Sequence, residues 1–142
     1  MTEKFAVNTY LFFNGRCEEA IEFYKKTIGA EVLMLMRYKE APPQGEGAGC
    51  GAPIDGEKVM HSRIAVNGST IMLSDGPCTG KFDGFSLSLT GSSTAEAERL
   101  FAALSEGGKV EMPLAKTFFS PAFGMLTDPF GVKWMVHVEP SA

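Results

Sequence analysis

The side chains that could do chemistry are few. Two histidines (His61, His137) and three cysteines (Cys17, Cys50, Cys78) are the whole stock of soft metal ligands, and none falls in a C-x-x-C or H-x-x-x-H spacing, which argues against a structural zinc site. His61 stands out because it lies in the β-prone run 59–66, joined by Asn67-Gly68 to a second such run, 69–74. Asn-Gly between two β-prone runs favours a two-residue type I′ hairpin turn. With that turn Val66 opposes Ser69, Ala65 opposes Thr70, Arg63 opposes Met72 and His61 opposes Ser74, so His61, Arg63, Met72 and Ser74 share one face. An imidazole titrates near neutrality, with a reference pKa of about 6.5, which makes His61 the candidate catalytic acid or base, with Ser74 placed to orient its ring. The plainer reading is a histidine hydrogen-bonded within a sheet. Arg63 on a partly buried face calls for an anionic partner, either a protein carboxylate or a carboxylate- or phosphate-bearing ligand. Cys17 sits near a helix start, but Glu18 and Glu19 oppose a thiolate there, so it reads as packing. The stretch from Gly47 to Ala52 matches a loose dinucleotide pattern, yet Pro42-Pro43 before it and Pro53-Ile54-Asp55-Gly56 after it leave no helix to receive a phosphate. No cofactor is expected.

The elements that must position these residues follow from periodicity. Phe5 to Phe13 is apolar and aromatic and ends at Asn14-Gly15, a buried strand and a turn. From Cys17 the apolar positions Cys17, Ala20, Ile21, Tyr24 and Ile28 recur at helical spacing, acidic residues fill the first turn, Lys25 and Lys26 come late, and Gly29 stops the helix. Glu31 to Tyr38 reads as a strand, with helix as an alternative because Met and Leu dominate it. Residues 40–57, with Pro42, Pro43, Pro53 and five glycines, read as a long surface loop and a candidate lid. After a second punctuated linker the order repeats. Phe85 to Thr90 is a strand, and Ser93-Thr94-Ala95-Glu96 is a capping box opening a helix with Ala97, Leu100, Phe101 and Leu104 inward. Strands at 109–112, 122–127 and 132–138 follow. In the last of them Lys133, Met135 and His137 share one face; Val132, Trp134, Val136 and Val138 share the other, suited to packing under a helix. Gly29 to Met34 superimposes on Gly107 to Met112, and Asn67-Gly68 on Phe130-Gly131; the offsets, 78 and 63 positions, differ by 15, close to the length of the extra loop. The chain is therefore expected to be one α+β domain, 1–142, made of two βαβββ modules at about 5–75 and 84–138.

Bulk properties exclude several classes. A chain of 142 residues with 44% hydrophobic content buries a sizeable core without disulfides. Thirteen basic against seventeen acidic residues, with no basic run, give no footprint for nucleic acid. No run approaches 18 apolar residues, so no membrane partner is expected, and Met1-Thr2-Glu3-Lys4 does not open a secretion signal. The expected address is the cytoplasm, where scattered free cysteines are stable.

Paired βαβββ modules, the Glu19-Ala20-Ile21-Glu22-Phe23-Tyr24 helix ending in Ile28-Gly29-Ala30, and Asp128-Pro129-Phe130-Gly131 before the last strand resemble the vicinal oxygen chelate superfamily. Val59-Met60-His61-Ser62, Leu73-Ser74-Asp75 and the run from Gly124 to Trp134 resemble, within it, the PhnB-like group of glyoxalase and bleomycin-resistance relatives. The resemblance implies a glyoxalase-like fold of paired half-open curved sheets, and a homodimer. It places the metal ligands of the superfamily's enzymes at Thr9, Met72, Gly84 or Phe85, and Met135, none of which is a histidine or carboxylate. A thioether pair and a hydroxyl offer neither the charge nor the ligand number a hard divalent ion needs, so no metal site is expected.

Together these observations describe a small-molecule-binding module. A small, partly apolar organic ligand is expected in a cup lined by Thr9, His61, Arg63, Met72, Ser74 and Met135, with the methionines as a soft wall. The alternative is an enzyme of isomerase, lyase or transferase type that uses His61 as acid or base, or an atypical metal set including His61 or His137. A third reading is an interaction domain without a ligand. The ubiquinone-pathway methyltransferase label sometimes given to such chains is disfavoured, because a methyl-donor fold needs a parallel sheet with a glycine loop after its first strand.

Overall fold

A computed structural model of the chain describes residues 6–40, 55–76 and 81–140. Cys50, Cys78, Phe5, the 47–52 glycine pattern and most of the loop expected at 40–57 lie outside the described residues. The chain divides into two compact units, Met1–Gly80 and Lys81–Ala142.

The first unit holds β1 (Thr9–Phe12), α1 (Cys17–Ile28), β2 (Glu31–Arg37), β3 (Val59–Val66) and β4 (Ser69–Ser74), in one sheet of order β1-β4-β3-β2. β1 runs parallel to β4, and the other pairs are antiparallel. Asn67 and Gly68 both take positive φ, 46° and 95°, as a type I′ turn requires, and Val66 faces Ser69 across it. The second unit repeats the order with β5 (Leu87–Gly91), α2 (Thr94–Ser105), β6 (Lys109–Ala115), β7 (Phe123–Thr127) and β8 (Lys133–Val138), in a sheet β5-β8-β7-β6 with β5 parallel to β8. The α+β class and the glyoxalase-like βαβββ order are thus observed in both halves.

Each helix covers one sheet face, and the core lies between them. Cys17, Ala20, Ile21 and Tyr24 of α1 are buried together with Leu11, Ile64 and Leu73 of the sheet; Ala97, Leu100, Phe101 and Leu104 of α2 are buried with Leu126, Trp134, Val136 and Val138. Full burial of a large aliphatic side chain contributes about 1.5–3 kcal/mol, so these stripes hold the helices in place. Ser93 caps α2 by accepting the Glu96 N–H at 3.2 Å, while the Glu96 carboxylate reaches back to the N–H and hydroxyl of Ser92 rather than to Ser93.

Four boundaries depart from expectation. Residues 6–8 are not strand, and Val7 is fully exposed, because β1 exists only where β4 supplies hydrogen bonds, from Thr9 opposite Ile71 to Phe12 opposite Ser74. The Glu31 run is a strand rather than a helix, and it ends at Arg37; Tyr38 begins a short 3-10 turn in which the Glu40 carboxylate accepts the Arg37 N–H. β5 begins two residues late, at Leu87. β6 runs on through Pro113 to Ala115, tolerable because β6 is an edge strand.

Candidate functional site

Register decides which side chains face away from α1. Leu11, Ser62, Ile64 and Leu73 form the buried, helix-side set. Their neighbours on the other face are Tyr10 and Phe12 on β1, Met72 on β4, His61 and Arg63 on β3, and Met34 and Met36, which stand opposite Arg63 and His61 on β2. A register shift at Leu33 brings the two methionines onto that side. The face is therefore aromatic and thioether-rich, with one imidazole and one guanidinium.

His61 is held by a residue the sequence did not single out. The Tyr10 hydroxyl lies 3.1 Å from His61 Nδ1, and the two rings stack at 5.6 Å with their planes 25° apart. Phe12 extends the stack, its ring 4.9 Å from that of Tyr10. Tyr38 is close enough to feel the Tyr10 phenol; burial above all, then the Asp75 charge and Tyr10, pushes its own phenol above the usual range. Arg63 is exposed and makes no ion pair among the described residues.

The expected set is only partly brought together. His61, Arg63 and Met72 do share the open face. Thr9 falls on the opposite side, in register with Ile71 and with the parity of buried Leu11, so Tyr10 and Phe12 occupy the positions expected of Thr9. Four apolar or aromatic residues in a row, Tyr10 to Phe13, leave the parity of β1 open in the sequence, and only pairing with β4 settles it. Ser74 does not orient His61. The β3–β4 ladder stops at Ser62 opposite Leu73, Ser74 pairs with Phe12 instead, and its hydroxyl, buried at 2% exposure, accepts the Gly76 N–H. A Cβ on Gly76 would lie 2.7 Å from Phe12 Cδ1, so glycine at this positive-φ position lets the Phe12 ring settle there.

Asp75 anchors the strand that carries His61. Its carboxylate accepts the Cys17 N–H at 2.8 Å, capping α1 from 58 residues away, and the Val59 N–H at 2.7 Å. Arg16, the residue preceding α1, provides no side-chain cap. Beside this clamp Cys17 is fully buried, as a packing residue is, and burial pushes its thiol up to about 12. Arg37 ties β2 to α1 through Glu18, at 2.6 and 3.1 Å, and also donates to the Glu57 carbonyl.

Met135 lies in the second unit, on the face of β8 turned away from buried Trp134 and Val136, opposite Ser88 and Met125. His137 shares that face and lies 3.3 Å from the Thr90 hydroxyl through Nε2. Asp128 plays an anchoring role here, accepting the N–H groups of Phe130 and Val132 and the Trp134 indole N–H.

The residues at the implied metal positions do not fit a divalent ion. Thr9 faces the helix side, Met72 and Met135 are thioethers, and neither Gly84 nor Phe85 has a donor side chain. Among the described residues no three of His, Cys, Asp or Glu gather to hold a metal. No described helix is long and apolar enough to cross a membrane.

Comparison with known proteins agrees with the fold. Residues 5–137 match the family model described as 3-demethylubiquinone-9 3-methyltransferase. Protein YjdN of Escherichia coli (strain K12) is 36% identical over 138 residues, covering 93% of this chain and 94% of its own. The crystal structure of protein PA1353 from Pseudomonas aeruginosa is 38% identical, with TM-score 0.83 over 97% of this chain and 100% of that one. A PhnB protein from Bacillus cereus, described as a putative 3-demethylubiquinone-9 3-methyltransferase, is 29% identical, with TM-score 0.75 over 93% and 98% of the two chains. More distant structures share the fold alone, that of glyoxalase, bleomycin-resistance and dioxygenase domains.

Proposed function

For a chain that belongs to the family described as 3-demethylubiquinone-9 3-methyltransferase, the PhnB-like group of the vicinal oxygen chelate superfamily, we propose metal-independent binding of a small, partly apolar organic molecule. One observation carries the reading. The open sheet face of the first unit sets the Tyr10–His61 pair among Phe12, Met72 and Arg63, a soft apolar floor with a few fixed polar groups. That combination suits ligand sites generally: apolar walls supply affinity and a few hydrogen-bonding groups fix orientation. Met135 and Met125 give the second unit a similar thioether surface.

Methyl transfer, the activity in the family's description, is not the reading adopted. Each sheet has one parallel pair beside antiparallel ones, and no strand, glycine loop and helix unit for a nucleotide-like methyl donor occurs among the described residues. A second reading is supported by the same hydrogen bond. With Nδ1 engaged by Tyr10, His61 is oriented as catalytic acids and bases are, and an enzyme of isomerase, lyase or transferase type would use it so.

A thermal-shift panel of planar aromatic compounds, with wild type and a Tyr10→Ala variant, tests the binding reading. Saturation at 100 times Kd adds about 2.7 kcal/mol of stability, a rise of several degrees. A panel in which no compound raises the midpoint, or in which Tyr10→Ala responds as wild type does, overturns it. Elemental analysis of chelator-free protein tests metal independence: a stoichiometric metal lost in His61→Ala refutes it. The reading includes a cytoplasmic homodimer, for which sedimentation velocity and cell fractionation are the checks.

A further inference from the structure

The binding face has a polar pole whose chemistry is narrower than its apolar floor, and a role for that pole rests on the binding reading of the same face. Strand positions two apart on one face stand about 6.6 Å from each other, so His61 and Arg63 form adjacent posts on β3. An oxyanion flanked by two charge-assisted hydrogen bonds of about 2.8 Å spans such a gap. We propose that this face selects ligands carrying a carboxylate or phosphate, bridged between the Arg63 guanidinium and His61 Nε2–H, with Tyr10 as the positioning residue that keeps the proton on Nε2.

We take Tyr10 as the donor in its hydrogen bond with His61, a choice that fixes the tautomer. A phenol has one hydrogen to donate, and a neutral imidazole has one donor and one acceptor nitrogen. Tyr10 faces Nδ1 at 3.1 Å; when its hydroxyl donates there, the imidazole hydrogen must sit on Nε2, which thereby becomes a donor. A ring locked in that form offers hydrogen bonds to acceptors and none to donors. Arg63 beside it is a donor in every state. Two donors therefore face a ligand together, which favours an anionic acceptor over a neutral amide carbonyl.

Among the described residues, the groups of opposite charge that could satisfy Arg63 internally are scarce. β1 and β4 bring no acidic side chain to this face, and Met34 and Met36 occupy the facing positions on β2. Among the described strand residues Glu31, opposite Ala65, is the acidic one on this side by register, and it makes no ion pair with Arg63. Asp75 is turned to the helix side, where the Cys17 and Val59 amides occupy its two oxygens. The chain carries a net charge of −4, so anions gain nothing from its overall field and must be held by these two donors.

The experiment compares probes that share one naphthalene ring, 2-naphthoate, its neutral isostere 2-naphthamide and 2-naphthyl phosphate, titrated into full-length protein by NMR with ¹⁵N-labelled histidine. The naphthoate or the phosphate is expected to bind about tenfold more tightly than the amide, and Arg63→Gln to bring the anion down to the amide's affinity. Whichever anion binds more tightly identifies the headgroup. In ligand-free wild type the His61 nitrogen shifts are expected to report the Nε2–H tautomer, and Tyr10→Phe to relax them to a mixture while circular dichroism stays native. Amide binding equal to that of both anions overturns the anion proposal and leaves the apolar binding reading standing. No binding by any probe at millimolar concentration overturns both. An Nδ1–H tautomer in wild type removes Tyr10 from the positioning role.

Discussion

The most exacting prediction concerns Asp75. Its two carboxylate oxygens accept the Cys17 N–H at 2.8 Å and the Val59 N–H at 2.7 Å, while its own N–H donates to the Val59 carbonyl and its carbonyl accepts from Asn14. One buried side chain, 4% exposed, thus joins the start of α1, the start of β3 and the end of β4. Hydrogen bonds to charged groups contribute about 1.5–3 kcal/mol each, and leaving a buried N–H without an acceptor costs a similar amount. Asp75→Ala removes both acceptors, so a loss of about 3–5 kcal/mol is expected. Asp75→Asn keeps one amide oxygen as acceptor but turns an NH₂ group toward the other N–H, for a loss of about 2–3 kcal/mol. For a chain of this size about 3–4 °C accompanies each kcal/mol, so Asp75→Asn should melt about 6–12 °C lower. Urea unfolding followed by far-UV circular dichroism is the suitable assay, because the single tryptophan, Trp134, belongs to the other unit. Both variants falling within about 0.5 kcal/mol of wild type would refute the argument that this carboxylate is the clamp.

Four further outcomes are expected of the same structure. Buried Cys17, its thiol raised to about 12 from an ordinary 9.0, should react with iodoacetamide at pH 8 about 100-fold or more slowly than in urea, as peptide mapping would show. The sign for stability comes from that raised value: the folded form holds the thiol proton more tightly, so stability should fall as pH rises from about 9 toward 12, less steeply in Cys17→Ala. The Arg37 guanidinium hydrogen-bonded to Glu18 holds that carboxyl below its ordinary range, so its stabilisation is present at neutral pH and lost as pH falls into the carboxylate range; Glu18→Gln should lower the melting point by about 1–2 °C at low salt and by less at high salt. Gly76→Ala, at φ +68° and with its Cβ against the Phe12 ring, should cost about 1–2 kcal/mol by urea titration; Phe12→Leu should recover part of that cost, and no recovery would assign it to the backbone.

Much of the architecture was legible because local chemistry and tertiary structure agree. Asn67-Gly68 adopts the positive-φ turn its residue types favour, α1 ends at Gly29, and the inward faces of both helices and of β8 are those their periodicity indicates. The candidate site was legible only in part. Turn arithmetic placed His61, Arg63 and Met72 on one face correctly, because side chains alternate strictly along a hairpin. The same arithmetic overran at Ser74, where β4 leaves β3 and continues its pairing on β1. Thr9 entered the expected set through the resemblance alone, and the unbroken aromatic and apolar run after it carries no period by which the two faces of β1 could be told apart.

The amino-acid order by itself therefore determined the two βαβββ repeats, the helix stripes and the hairpin register, all set by steric and hydrophobic preferences acting over a few residues. Which face of β1 is open, and hence that Tyr10 rather than Ser74 holds His61, was decided only when β1 found β4, about sixty residues away in the chain. The capping of α1 belongs to the same class: Arg16 offers no side-chain acceptor, and the carboxylate that serves α1 comes from Asp75, 58 residues further along the chain and brought beside the end of β1 by the β1–β4 pairing. An unpaired backbone N–H must find an acceptor, but nothing local says which one. That choice is made by the packed structure.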